Sequence, residues 1–160
     1  MGRGIDFGQI FALIAVLALA VVPLPDSIAP YRPAWAAVVL IYWSLASPRR
    51  AGFIATFLTG LALDALSGTL IGQHALALLI VVYVTRKLYL RLRAFPVSQL
   101  ALFVAMLLAV YQFVLFWMDG VAGRAVSGLE TWAPVLGGTL LWIAMWSLLD
   151  RGRREAPARL

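Results

Sequence analysis

The segment GLALDALSGTLIGQHAL, residues 60–76, decides how this chain folds, because it places an acid and a histidine within apolar sequence. The small polar residues 67–69 separate two apolar runs and predict a helical hairpin. Asp64 and His74 each lie five residues from the apex of that turn, so antiparallel helices place them at the same depth. A carboxylate among apolar side chains normally faces a partner or a cavity, since an unpaired buried charge is expensive. We therefore predict a polar cluster of Asp64 and His74, with Gln73 as its third member.

Two interpretations of this cluster are open. It binds a proton or a small ligand, or it braces the hairpin where water is within reach. We favour the brace, because one Asp and one His do not define a catalytic site. Glycine lets membrane helices approach closely and supplies turn conformations. Glycines punctuate the hairpin and are predicted to pack or turn it: Gly52, Gly60, Gly68 and Gly72.

Hydrophobic residues make up 63% of the 160 residues, and the mean hydropathy is +0.93. A soluble domain of this size has no interior large enough to bury so much apolar surface, whereas a bilayer covers it. We predict an all-α polytopic membrane protein, with residues 1–160 forming a single domain of six transmembrane helices. The predicted spans lie near 7–24, 34–47, 51–66, 70–86, 98–118 and 132–150.

All but two of the 13 Lys and Arg residues occupy every second gap between these stretches. Arg32 and Arg124 are the two exceptions. Because cytoplasmic loops retain Lys and Arg, this pattern predicts that both termini are cytoplasmic. The central residues of that side form a predicted basic rim, for which anionic lipids are the expected partner and nucleic acid is not. The basic rim comprises Arg49, Arg50, Arg86, Lys87, Arg91 and Arg93.

Several chemistries find no support in the residues. The chain has no Cys and one His, and it contains neither a phosphate-binding loop nor a His-Glu-x-x-His motif. A Ser67–His74 pair would lack a recognisable oxyanion hole. We therefore predict that the protein is not an enzyme and has no catalytic, cofactor or metal site. Trp43 is expected at a membrane interface, and the deeper Trp142 is expected to mark a packing or partner surface.

A series of short motifs runs along the chain: PAW (33–35), LIYW (40–43), PRRAG (48–52), GLALD (60–64), GTLIGQHAL (68–76) and RAFP (93–96), followed by Gln99. This series resembles the MreD family of rod shape-determining membrane proteins. The order and spacing of the motifs carry the resemblance, which covers nearly the whole chain and is strongest over residues 30–100.

The resemblance implies a non-enzymatic scaffold of the bacterial elongation machinery in the cytoplasmic membrane. Members of the family work with the bitopic protein MreC, the actin-like MreB, the glycosyltransferase RodA and a class B penicillin-binding protein in lateral peptidoglycan synthesis. The family is also similar in fold to the substrate-binding subunits of energy-coupling-factor transporters. A small-molecule transport subunit is therefore the rival function, with Asp64, Gln73 and His74 lining a pocket. Such subunits commonly dock through two Ala four residues apart in the first helix, and this chain has no such pair there.

Overall fold

The secondary structure consists of six α-helices and one short 3-10 helix in the computed structural model, which describes residues 7–22, 33–46, 52–92, 94–124 and 128–154. No strand occurs within those ranges. Each predicted apolar stretch coincides with one helix, so the all-α architecture is confirmed. The helices are α1 Phe7–Val21, α2 Trp35–Ala46, α3 Phe53–Ser67, α4 Gln73–Leu92, α5 Val97–Val121 and α6 Ala133–Arg154, with the 3-10 helix at Leu129–Trp132.

The turn between α3 and α4 is longer than the sequence predicted. Helix α4 begins at Gln73 and not at residue 70. Gly68 ends α3 in the left-handed conformation, with φ 62° and its amide donating to the Asp64 carbonyl. Gly72 has φ 99°, a value that L side chains rarely adopt. The two glycines thus bound a turn over residues 68–72, which the apolar character of Leu70 and Ile71 concealed.

The other end of α4 extends past the predicted span to Leu92. The predicted span ends at the first charged residue, Arg86. The helix continues beyond it because charged residues can occupy the exposed face while Leu92 remains buried. Pro96 then occupies the N-cap of α5, where its missing amide proton costs no helical hydrogen bond.

Helix α5 has 25 residues and is, among the described helices, the one that meets both length and hydropathy requirements for crossing a membrane. Apolar segments of α1, α2, α3 and α6 are shorter, and the 20-residue α4 carries Arg86, Lys87 and Arg91. The helices are therefore consistent with a membrane protein. Crossing by all six helices remains a prediction.

Helix α2 lies at the centre and contacts α1, α4, α5 and α6. The α3–α4 pair has the most extensive contact, while α1 packs on α2 and α3. Trp142 of α6 is fully buried, edge-on to Tyr42 and stacked on Trp146. Trp142 therefore marks a packing surface inside the chain, and Trp43 is half-buried against the same core. Large apolar side chains are exposed on the outer faces of α1, α3, α5 and α6, as lipid contact requires.

Candidate functional site

The Asp64 carboxylate is the hub of the hairpin turn. Only 1% of the residue is exposed. Its Oδ1 accepts hydrogen bonds from the Thr69 hydroxyl at 3.0 Å and from the His74 amide at 2.9 Å. Its Oδ2 accepts from the Gly72 amide at 2.8 Å. A buried carboxylate is stable when its oxygens are satisfied in this way, so burial of Asp64 needs no external ligand.

Two of these donors are backbone amides at the start of α4. The first amides of a helix have no acceptor within it, and a side-chain oxygen normally supplies one from the residue just before the helix. Here the acceptor is Asp64, which comes from the last part of α3. The negative charge also lies at the positive end of the α4 dipole. Asp64 thereby caps one helix from its neighbour and joins the two.

The imidazole of His74 completes the predicted cluster. Its Nδ1 lies 2.8 Å from Asp64 Oδ1 and 3.3 Å from the Thr69 hydroxyl. Because an ionised carboxylate only accepts, Nδ1 carries the proton of this contact, and Nε2 is left for other partners. The prediction that Asp64 and His74 lie close together is confirmed. It did not reveal that Thr69, at the apex, closes back onto the same carboxylate.

Gln73 lies apart from this hub. It is fully buried, and its Nε2 donates to the Leu115 carbonyl of α5 at 3.2 Å. Its Oε1 has no hydrogen-bond partner among the described residues. Gln73 therefore links the start of α4 to α5, whereas Asp64 and His74 link α4 to α3.

Gly60 is the point of closest approach between α3 and α4. A Cβ placed there would overlap the Cα of Ala75 and lie 2.5 Å from its amide nitrogen. Atoms of two backbones cannot be moved aside as a side chain can, so Gly60 is required for this separation. Asp64 lies one helical turn later on the same face of α3, and both residues are buried. The contact of Gly60 with Ala75 was not foreseen.

A cavity of about 190 Å³ lies beside the hairpin turn, and all six helices contribute to its walls. His74 lines it, whereas Asp64 does not. The other polar side chains at the wall are Ser67, Tyr111 and Gln112. Tyr111 and Gln112 were not foreseen, although two adjacent polar side chains in the long apolar α5 were a visible signal.

The opposite end of the hairpin carries the described part of the basic rim. The Arg86 guanidinium lies 4.7 Å from the ring centre of Phe53, which ties α4 to the start of α3. Lys87 lies 5.8 Å from the ring of Tyr83, and Arg91 is exposed. The remaining members, Arg49, Arg50 and Arg93, are outside the described residues.

Comparisons with known proteins identify the family that this chain matches. The family description "rod shape-determining protein MreD" matches residues 6–151. The chain is similar to the rod shape-determining protein MreD of Haemophilus influenzae, with 32% identity over 148 residues that cover 91% of this chain and 88% of that protein. No solved structure matches the chain significantly, so the expected likeness to energy-coupling-factor transporter subunits has no support here.

Proposed function

The chain belongs to the MreD family of rod shape-determining proteins, and we propose that it acts as a non-enzymatic scaffold in the bacterial cytoplasmic membrane. In this proposal it crosses the membrane six times with both termini cytoplasmic, and it binds a bitopic MreC-type protein. Together with MreB, RodA and a class B penicillin-binding protein, the pair supports lateral peptidoglycan synthesis. The family match carries the proposal, because it extends over all six helices.

The form of the hairpin supports partner docking at its turn. Asp64 holds both Thr69 and Gly72, so the intervening Leu70 and Ile71 project from a fixed backbone. Ile71 is 85% exposed, although it is one of the most apolar residue types. A preorganised apolar tip binds a partner with little loss of conformational entropy. We infer that residues 68–72 form the principal contact with the MreC-type protein.

This contact is testable with a photo-crosslinking amino acid at Ile71 in native membranes. Met106 of α5 is a matched control, since it is apolar and 60% exposed but lies on another helix. After mild detergent extraction, we expect Ile71 to crosslink to one bitopic partner at near-equal stoichiometry, and Met106 to give much less of that product. A dominant crosslinked product at Met106 would show that the partner contacts α5 and not the hairpin turn. Recovery of an ATPase-coupled membrane subunit would contradict the scaffold and favour the transport function.

The basic rim supports a second contact, with anionic lipid or with the cytoplasmic filament. Arg86 is held against Phe53, whereas Lys87 and Arg91 are exposed at the same end of the hairpin. Replacement of Arg91 and Arg93 by Ala is expected to weaken recovery of the cytoplasmic partner. Unchanged recovery of every partner would contradict this role of the rim.

A further inference from the structure

The cavity beside the hairpin turn is partly open and combines apolar walls with polar groups that the scaffold function leaves unused. Its apolar walls include Trp35, Leu63 and Leu115. Tyr111 is only 5% exposed, and its hydroxyl makes no hydrogen bond within the part of the chain that the structure describes. Clefts and cavities with mostly apolar walls and a few polar groups are the usual form of small-molecule sites.

His74, one of the polar residues at the wall, is held in place by Asp64. Asp64 accepts a hydrogen bond from His74 Nδ1–H, so in the neutral imidazole Nε2 is the ring nitrogen that is left to accept one. The rings of His74 and Tyr111 lie 6.2 Å apart, between centroids, and both residues line the cavity. Gln112 follows Tyr111 and adds an amide, which both donates and accepts. Asp64 is thus a positioning residue for this wall.

The chemistry of the wall restricts what binds. No Lys, Arg, Asp or Glu from the described residues lines the cavity, so a charged molecule would lose hydration without gaining an ion pair. The volume of about 190 Å³ exceeds the roughly 150 Å³ of an engineered cavity that holds benzene. A molecule slightly larger than benzene therefore fits.

We propose that this cavity is a binding site for a small, neutral molecule of about one substituted ring, recognised by hydrogen bonds to His74, Tyr111 and Gln112. The site is independent of partner docking through residues 68–72. A chain that recovers its partner but binds no such molecule contradicts this proposal alone.

The test uses three probes of nearly equal size added to the full chain in lipid nanodiscs, with empty nanodiscs as the background. The probes are 4-fluorobenzamide, 4-fluorobenzoate and 4-fluorotoluene, observed by ¹⁹F NMR. We expect 4-fluorobenzamide to bind in competition with unlabelled benzamide, and the charged and purely apolar probes to bind at least several-fold more weakly. Absence of benzamide binding, or a preference for benzoate or toluene, would overturn the proposal.

Two pairs of variants locate the binding. Ala34→Leu, just before α2, fills the cavity and should abolish benzamide binding, whereas Ala46→Leu, at the exposed last residue of α2, should retain it. Tyr111→Phe removes a hydroxyl without breaking a described hydrogen bond, and should weaken binding about fivefold, the usual effect of one neutral hydrogen bond. Tyr83→Phe, at an exposed ring of α4, should have no effect. Full binding by both Ala34→Leu and Tyr111→Phe would place the molecule elsewhere.

Discussion

The α3–α4 hairpin and the α5–α6 pair are both antiparallel helix pairs, but they are held together differently. In the first pair, Gly60 allows backbone contact and Asp64 binds four donor groups. In the second pair, a Cβ at Gly138 would meet the end of the Leu108 side chain at 2.7 Å. Helices in lipid associate through close packing and interhelical hydrogen bonds. The α3–α4 pair uses both close packing and hydrogen bonds, and its backbone contact cannot easily shift. The α5–α6 pair packs through side chains that can rotate.

The turn regions show the same difference. After α5, Arg124 lies 3.3 Å from Asp119 and 3.4 Å from the Gly68 carbonyl, and both charged side chains are partly exposed. Such exposed ion pairs contribute little, because water solvates the separated charges nearly as well. Water cannot replace the hydrogen bonds of the buried Asp64 carboxylate in the same way. We therefore expect equivalent substitutions to have large effects in the α3–α4 hairpin and small effects in the α5–α6 pair.

Asp64→Ala should have the largest effect. It leaves the amides of Gly72 and His74 and the hydroxyl of Thr69 without their acceptor, which should lower the free energy of unfolding by about 3 kcal/mol. Asp119→Ala is the matched control and should change it by less than about 0.5 kcal/mol. Unfolding in SDS titrations, together with abundance in the membrane, measures both. A fully stable Asp64→Ala protein that loses its partner would make Asp64 a binding residue and not a brace.

Gly60→Ala should follow, at about 2 kcal/mol, because the new methyl group overlaps the Ala75 backbone and forces α3 and α4 apart. Gly120→Ala, in α5, has open space around the added Cβ and should be neutral or stabilising by up to about 1 kcal/mol. The same SDS titration compares them. Equal stability of the two variants would show that the hairpin adjusts as freely as the second pair.

Gly72→Ala tests the turn itself. The φ of 99° is strained for any L side chain, so we expect a loss of roughly 1–2 kcal/mol. Gly68→Asn should be nearly neutral, since Asn tolerates the left-handed conformation at a helix C-terminus. Thermal unfolding in detergent distinguishes the two. A loss at Gly68→Asn as large as that at Gly72→Ala would point to side-chain crowding and not to backbone conformation.

Gly138→Ala should have the smallest effect. The Leu108 side chain can rotate away from the added methyl group, at a cost that offsets part of what a helical Ala gains over Gly. The free energy of unfolding should therefore change by no more than about 0.5 kcal/mol. Thermal unfolding of Gly138→Ala beside Gly60→Ala provides the direct comparison. A loss at Gly138 equal to that at Gly60 would remove the distinction between the two pairs.

Much of the site was predictable because its residues lie close together along the chain. Asp64 and His74 flank one turn at equal distances, and antiparallel geometry alone brings them together. Thr69 was visible as the apex but not as a donor, since the path of a turn depends on glycine φ values that the sequence leaves open. Ala75 and Tyr111 were not foreseen, because neither distance along the chain nor residue type indicates which helix faces them.

The sequence by itself determined that the described residues include six apolar helices, that α3 and α4 pair as a hairpin, and that the chain belongs to its family. Hydropathy, turn residues and motif order are properties of local segments, and local segments are what a sequence specifies directly. Only the tertiary structure decided that α2 lies at the centre, that Gly60 meets Ala75, and that residues from all six described helices line a partly open cavity. The physical reason is that core-facing and lipid-facing side chains are equally apolar, so hydropathy does not distinguish them. The lateral order of the helices follows instead from the shapes of their surfaces and from a few buried hydrogen bonds.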